Sequence, residues 1–359
     1  MSVLVTGGAG YIGSHTVRRL HELGEQVVVL DDLSSGHHQA VPEEVTLIVA
    51  DLKDRERTLD VLSKIRPESV FHFAASSSVS ESVYDPEKYR LQNVIATQNL
   101  LDAMALAGTR QIVFSSTAAV YGESGGVALT ESAPLNPVNP YGQSKLACEQ
   151  LLARHYRLHE IRSISLRYFN AAGAHDSGDI GEDHEPETHL IPIVLQAALD
   201  RRDAAQMFGT DYPTRDGTCV RDYVHVDDLA EAHVLSLKAL RSRRAQVAAY
   251  NLGNQNGYTV REVIDSAANV TGRKIRAQAA PPRPGDPAIL VASSTLAERE
   301  LCWRAQYNDL AHIMESAWRW HRRYPLGYRG RAFRKPSACA DWRSKLIMNT
   351  SRASDRVSR

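Results

Sequence analysis

Six short apolar runs alternate with helical stretches through the first half of the chain. They are Val3–Thr6, Gln26–Leu30, Val45–Ala50, Ser69–Ala74, Gln111–Ser116 and Arg162–Phe169. A strand, a crossover helix and a second parallel strand form the usual repeating unit of such a pattern. The runs are apolar without strict alternation, which is typical of strands covered on both faces. The sequence therefore predicts an α/β fold with a doubly wound, Rossmann-type parallel sheet, in preference to an antiparallel α+β arrangement.

After Asn170 this rhythm gives way to segments rich in Gly, Asp and Pro. Such loops commonly carry ligand contacts on a rigid scaffold. We expect a dinucleotide-binding domain over residues 1–170, to which the chain returns near 224–250, and a smaller C-terminal substrate-binding lobe over 171–330. Residues 331–359 contain eight basic and two acidic residues. They are predicted to form a poorly ordered basic tail.

Composition excludes several classes of partner. The chain has 42 Lys and Arg and 42 Asp and Glu residues, so its net charge does not favour nucleic acid. The four cysteines form no C-x-x-C pair, so neither a disulfide framework nor a zinc knuckle is expected. No metal site is predicted. No apolar run reaches the roughly 20 residues of a membrane span, and the first strand begins too early for a signal peptide. We expect a cytoplasmic protein without membrane contact.

A glycine-rich turn follows the first predicted strand. Gly7, Gly10 and Gly13 are spaced three apart, and a helix is predicted to begin at about Tyr11. Such a turn presents free backbone N–H groups and the positive end of a helix dipole to a pyrophosphate. Asp31, at the tip of the second strand, is placed to accept hydrogen bonds from a ribose and would repel a 2′-phosphate. The sequence predicts NAD as the cofactor, rather than NADP.

A second acidic residue, Asp51, follows the third strand. It could reach the adenine edge or cap the next helix, and the sequence alone does not decide between these roles.

Tyr141 and Lys145 have the Y-x-x-x-K spacing, which places both side chains on one face of a helix. An ammonium beside a phenol favours the phenolate, so we expect the pKa of Tyr141 to lie below its ordinary value. Because this pair follows the dinucleotide turn and the hydroxyl-rich segment "FSSTAAVYG", Tyr141 is predicted to act as the base at a substrate hydroxyl.

From about Val3 to Tyr328 the chain resembles the extended short-chain dehydrogenases, in the NAD-dependent epimerase/dehydratase family, that act on nucleotide sugars. Within that family it is similar to the 4-epimerases of UDP-hexoses. The resemblance rests on "VTGGAGYIGSH", "NPYGQSK", "LRYFNAAGA", "IGEDHEPETHLIP", "FGTDYPTRDGTCVRDYVHVDDL", "YNLGN" and "RPGDPA". It implies interconversion of UDP-glucose and UDP-galactose by transient oxidation at C4, in a homodimer assembled through a helical bundle. The helices near Glu87–Ala107 and Tyr141–His159 are candidates for this interface, but their apolar faces fit packing against the sheet equally well.

The resemblance also implies roles for individual residues. Tyr141 is the base, Lys145 binds the nicotinamide ribose and tunes Tyr141, and Thr117 hydrogen-bonds the sugar O4. Besides Tyr141 and Lys145, the implied NAD contacts are Gly7, Gly10, Tyr11, Ile12, Gly13, Asp31, Asp32, Leu33, Ser34, Ser35, Gly36, Asp51, Leu52, Phe73, Ala74, Ala75, Asn93, Ser115 and Phe169. Besides Thr117, the implied UDP-sugar contacts are Asn170, His189, Leu190, Phe208, Arg221, Arg283, Asp286 and Leu290.

Two positions depart from the most common family pattern. Thr117 replaces a serine but keeps the hydroxyl, so its implied role survives. Ser77 stands where some members carry a lysine that contacts the NAD phosphates, and the sequence does not say whether hydroxyl groups substitute for it.

The sequence is also compatible with other functions. Epimerisation of UDP-xylose and UDP-arabinose, or of UDP-N-acetylhexosamines, fits the same residues. A nucleotide-sugar dehydratase or decarboxylase is less favoured, because Thr117 is followed by Ala118 and Ala119, where such lyases carry acidic side chains. A non-catalytic NAD-binding module is disfavoured by the intact set of Thr117, Tyr141 and Lys145.

Overall fold

The computed structural model describes residues 2–122, 128–283 and 287–330. Its strands are β1 (Ser2–Thr6), β2 (Gln26–Asp31), β3 (Thr46–Val49), β4 (Ser69–His72), β5 (Gln111–Thr117), β6 (Arg162–Tyr168), β7 (Asn170–Ala172), β8 (Ala205–Phe208), β9 (Val220–Arg221), β10 (Tyr223–His225), β11 (Val247–Leu252), β12 (Tyr258–Thr259), β13 (Ala277–Ala280) and β14 (Ile289–Leu290). Its α-helices are α1 (Tyr11–Glu22), α2 (Arg55–Ile65), α3 (Val79–Tyr84), α4 (Pro86–Tyr89), α5 (Ala96–Ala107), α6 (Pro140–His159), α7 (Leu190–Ala198), α8 (Val226–Arg241), α9 (Val260–Thr271), α10 (Thr295–Leu301) and α11 (Leu310–Arg323).

Seven parallel strands form the central sheet, in the order β11-β6-β5-β4-β1-β2-β3. All six predicted strands are present, and β11 extends the sheet beyond β6. The chain winds from β1 to β3 in one direction and from β4 to β11 in the other. The fold is therefore the predicted doubly wound, Rossmann-type sheet. Its winding changes direction between β1 and β4, and in such sheets ligands bind outside the carboxyl ends of the strands at this point.

Both faces of the sheet are buried, as its unbroken apolar strands predicted. Val3 and Val5 of β1 belong to the core beneath α1 and α8, whereas Leu4 between them belongs to the core beneath α2, α5 and α6. Successive side chains of a strand point to opposite faces, so a run of consecutive apolar residues supplies the core on both sides of the sheet.

A third core fills the C-terminal part of the chain. It lies among α7, α9 and α11 and includes Val194, Ile264 and Ile313. Two elements that lie in sequence between α7 and α9 do not belong to this lobe: α8 packs against α1, and β11 joins the central sheet. This agrees with the predicted return of the chain to the dinucleotide-binding domain near 224–250. The domain boundaries themselves stay a prediction, and the basic tail lies outside the described residues. Among the residues described, no helix has the length and apolar composition needed to cross a membrane.

Candidate active site

The glycine turn lies between β1 and α1, at the point where the sheet changes direction. Gly7 has φ +71°, and a Cβ placed on it would lie 2.8 Å from the Cα of Ala74. A Cβ on Gly13 would lie 3.0 Å from the carbonyl carbon of Gly7. The helix begins at Tyr11, as predicted, with Gly10 as its N-cap. Only glycine fits at Gly7 and Gly13, and the turn leaves the N-terminus of α1 facing the ligand side of the sheet.

Asp31 ends β2 beside this turn and is 6% exposed. Its carboxylate accepts hydrogen bonds from the backbone N–H of Ala9 and of Leu33, both at 2.9 Å. Burial raises the pKa of Asp31, and the two N–H donors oppose that rise. The carboxylate thus holds the glycine turn against the end of β2, a role that the sequence did not predict. Its predicted bond to a ribose stays a prediction.

Asp51 is not a helix cap. The N-cap of α2 is Asp54, whose side chain accepts a hydrogen bond from Arg57 N. Asp51 instead accepts from Lys53 N at 2.8 Å and keeps a 39% exposed side chain. The capping alternative was wrong because the helix begins one turn later, and contact with adenine stays a prediction.

The two sequence-predicted catalytic side chains of α6 meet the end of β5. The helix starts at Pro140, with the side chain of Asn139 accepting from Gly142 N at 2.8 Å. Thr117, the last residue of β5, lies close enough to Tyr141 for its side chain to lower the pKa of the phenol. One turn later, Lys145 Nζ donates to the carbonyl oxygen of Ser115 at 2.8 Å. The structure therefore brings the three predicted catalytic residues together at the carboxyl edge of the sheet.

The expected lowering of the Tyr141 pKa was wrong for the chain alone. Burial raises the pKa of Tyr141 to about 12, and the nearby side chain of Thr117 only partly opposes it. Burial also lowers the pKa of Lys145 to about 8. Removing both groups from water therefore outweighs the stabilisation of a phenolate that the Y-x-x-x-K spacing suggested.

A buried ion pair behind Lys145 was missed. Glu149, one turn further along α6, accepts from Arg167 Nε at 2.9 Å and from Ser116 Oγ at 2.5 Å. Arg167, which is 5% exposed, also donates to Tyr121 Oη at 2.9 Å. This network joins β5, β6 and α6. An arginine inside the apolar run "SISLRYF" was the sequence signal, because a buried guanidinium requires a partner.

Asn93 fixes the loop after β4. It lies in a π-helical segment, Arg90–Ile95, that precedes α5. Its side chain accepts from Ser76 N at 2.8 Å and donates to Ser144 Oγ at 2.8 Å. Asn93 thereby ties this loop to the turn of α6 that lies between Tyr141 and Lys145.

The residues expected to contact a UDP-sugar border the same edge. Asn170 Nδ2 donates to the carbonyl oxygen of Asp222 at 2.9 Å. The guanidinium of Arg221 donates to the carbonyl oxygens of Val220 and Pro287, both at 2.8 Å. Leu290 pairs in register with Arg221. These contacts place the ends of β7, β9 and β14 in one group.

Four other predicted residues make apolar or ring contacts. The guanidinium of Arg283 lies 3.9 Å from the centre of the Phe208 ring. Leu290 and Phe169 pack against the cluster of Val120, Tyr121 and Leu129, next to Thr117. Asp286 lies outside the described residues.

The last pair of predicted residues stands at the start of α7. His189 is the residue before the helix and Leu190 is its first residue. His189 Nδ1 contacts the carboxylate of Glu182, and this contact raises the pKa of the half-exposed His189 to about 9 although burial opposes it.

Comparison with known proteins agrees with this geometry. The sequence profile of the NAD dependent epimerase/dehydratase family matches residues 3–253. The chain belongs to this family. It is 49% identical over 328 residues to a UDP-glucose 4-epimerase of Halalkalibacterium halodurans, covering 91% of this chain and 98% of that protein.

Solved structures give the same result. A crystal structure of a UDP-glucose 4-epimerase superposes with a TM-score of 0.89 at 47% identity, over 91% of this chain and 99% of that one. The Stenotrophomonas maltophila UDP-glucose-4-epimerase, solved with bound NAD and formylated UDP-arabinopyranose, has a TM-score of 0.87 at 40% identity, over 91% and 99% of the two chains.

Proposed function

We propose that this protein is a UDP-glucose 4-epimerase that interconverts UDP-glucose and UDP-galactose with bound NAD. The observation that carries the proposal is the grouping of Thr117, Tyr141 and Lys145 at the end of β5. It lies at the same carboxyl edge of the sheet as the glycine turn. A proton acceptor and a dinucleotide cradle on one edge suit reversible oxidation of a sugar alcohol.

The cradle fits a dinucleotide on steric grounds, because the space beside Gly7 and Gly13 accepts no Cβ. Backbone N–H groups at the start of α1 would hold the pyrophosphate, and Asp31 the adenosine ribose. When bound, NAD supplies a hydride acceptor and donor for C4 of the sugar.

Tyr141, in this proposal, accepts the proton of the 4-hydroxyl and returns it after the hexose has turned over. Thr117 orients that hydroxyl through its own hydroxyl group. A pKa of about 12 keeps the phenol protonated in the chain alone. This value holds with Lys145 one helical turn away, so Tyr141 would need further positive charge at the site, beyond the Lys145 ammonium, before it acts.

The diphosphate is assigned to Arg221 and Arg283, because guanidinium groups match its paired oxygens. Stacking on Phe208 fixes the plane of Arg283, and two backbone carbonyl groups fix Arg221. In this proposal Leu290, which pairs with Arg221, borders the hexose. Firm binding of the nucleotide leaves the sugar free to present either face of C4.

We also propose a cytoplasmic homodimer. Leu106 of α5 and Leu158 of α6 are 70% and 59% exposed, and they lie on the helices expected to pair. Light scattering after size exclusion tests the dimer. Leu106→Glu combined with Leu158→Glu should give a monomer, and an unchanged mass would place the interface elsewhere.

A panel of UDP-sugars tests the proposed reaction. The purified protein, without added cofactor, should convert UDP-glucose and UDP-galactose into each other, with the 4-epimers separated by chromatography. Acid extraction should release NAD. Release of NADP would contradict the role of Asp31, and a deoxy-keto sugar or CO₂ as product would indicate a dehydratase or a decarboxylase.

A further inference from the structure

The loop that precedes α7 gathers two carboxylates and two imidazoles. Glu182, His184, Glu187 and His189 each offer one ligand atom, and these atoms all lie within 4.8 Å of one another. We propose that these four side chains form a structural Zn²⁺ site. His189 is also one of the implied UDP-sugar contacts, so the cluster adjoins the proposed substrate site, but the test of zinc binding does not depend on turnover.

The spacing of the ligand atoms suits a tetrahedral ion. Zinc binds imidazole nitrogen and carboxylate oxygen at about 2.0–2.2 Å, which puts neighbouring ligands about 3.3–3.6 Å apart. Nδ1 of His184 lies 3.4 Å from Glu182 Oε1 and 3.9 Å from Glu187 Oε2. Nδ1 of His189 lies 4.0 Å from Glu187 Oε1 and is in direct contact with Glu182. These separations lie on both sides of the tetrahedral spacing, so the side chains would have to move when an ion binds.

The buried carboxylates of the cluster also favour a bound cation. Glu182 and Glu187 are 3% and 7% exposed, so two adjacent carboxylates are buried. Their negative charges require two positive charges nearby. One divalent cation bound to the two imidazoles would supply that charge at the centre of the cluster.

Surrounding groups already orient the ligands. Oε1 of Glu187 accepts from Thr188 N at 2.8 Å and from His189 N at 2.9 Å. The backbone next to the first ligand is also held, because the carbonyl oxygen of Glu182 accepts from Trp320 Nε1 at 3.0 Å. Such outer contacts fix metal ligands in place.

The donor set selects the ion and its role. Two imidazoles favour zinc over Mg²⁺ and Ca²⁺, which prefer oxygen ligands alone. Four protein ligands would leave no open position, as in structural zinc sites. His184 packs edge-on against Tyr11, with ring centres 6.3 Å apart, at the start of α1. A zinc ion here would therefore brace the start of α7 against the start of the dinucleotide-binding helix.

Zinc binding should be measured on the full chain without a polyhistidine tag. We expect one Zn²⁺ per chain, bound with a Kd on the order of 1 μM or tighter in competition with a chromophoric chelator. His184→Ala and Glu187→Gln should each weaken binding by about tenfold or more. His159→Ala, which removes an exposed histidine from α6, should bind as the wild type does. Failure of the wild-type chain to bind zinc, or equal binding by all four proteins, would overturn the proposal.

A measurement on the wild-type chain removes any dependence on how the variants fold. Co²⁺ added to the metal-free protein should give the intense visible absorption of a tetrahedral site, and Zn²⁺ should abolish it in a one-to-one titration. A spectrum that stays that of octahedral aqueous Co²⁺ would refute the site.

Discussion

Lys145→Met tests whether burial controls the charge at the candidate active site. Lys145 is 3% exposed, and burial lowers its pKa from 10.5 to about 8. Below pH 8 the lysine is charged in both the folded and the unfolded chain, so the full cost of burying the charge is present. Between pH 8 and 10.5 the unfolded chain binds more protons than the folded chain. The free energy of unfolding must therefore rise with pH across this window, and methionine at this position removes that rise.

The magnitude follows from the two pKa values. Their difference corresponds to about 3 kcal/mol over the whole window, and to about 2 kcal/mol between pH 8 and about 9.5. At pH 7 the free energy of unfolding of Lys145→Met should exceed that of the wild type by less than about 3 kcal/mol. The gain is smaller than the full cost of burying the charge because the variant also loses the hydrogen bond to the carbonyl oxygen of Ser115. An unsatisfied buried acceptor costs about 1–3 kcal/mol. The change with pH is thus the more informative quantity.

Urea unfolding at pH 7, 8, 9 and about 9.5 provides the assay. Bound dinucleotide must first be removed from both proteins, because a ligand that binds the folded chain raises its free energy of unfolding. Lys238→Met removes an exposed ammonium from α8 and controls for the loss of one positive charge. We expect the wild type to gain stability relative to Lys145→Met by about 2 kcal/mol between pH 8 and 9.5. A difference that stays constant with pH would refute the argument that burial lowers the pKa of Lys145.

Three further predictions concern the turn, the base and the sugar pocket. Tyr141→Phe should lower turnover by about 100-fold or more with little change in UDP binding, since it removes the proton acceptor and keeps the ring; undiminished turnover would show that another group is the base. Gly7→Ala should abolish NAD retention, whereas Gly24→Ala, which also has positive φ but meets nothing within 4 Å, should retain NAD and lose only about 1 kcal/mol of stability; equal retention by both would contradict the close fit at Gly7. Leu290→Ala should shift the ratio of rates towards UDP-N-acetylhexosamines by about 1–3 kcal/mol, and Leu290→Tyr should shift it the other way; a constant ratio would mean that Leu290 does not face the sugar.

The sheet could be predicted because its signal is local. Most of these strands are apolar runs buried on both faces, and β3 at the edge of the sheet is an apolar run that is only partly buried, so pattern and spacing were sufficient for β1 to β6. The spacing of Tyr141 and Lys145 likewise predicted that they share a face of α6. That inference needed only the helical repeat.

Burial and partner choice could not be predicted in the same way. The pKa of Tyr141 depends on how completely β5 and α6 exclude water, and spacing along one helix carries no such information. The pairing of Glu149 with Arg167 joins α6 to β6, and the sequence marked only the arginine. The Glu and His residues of "GEDHEPETH" were noted as part of a family motif. Their ligand atoms face one another only because the loop folds back before α7, which is why no metal site was predicted.

The fate of hydrogen at C4 tests the central claim most directly. UDP-glucose deuterated at C4 should be incubated with the protein in ordinary water, without added cofactor, and the UDP-galactose analysed by NMR. Transient oxidation by a bound dinucleotide predicts that the deuterium is retained at C4 of the product, because the hydride leaves and returns within one site. Replacement of the deuterium by hydrogen from water would contradict the account, since it would mean that C4 inverts by proton exchange with solvent.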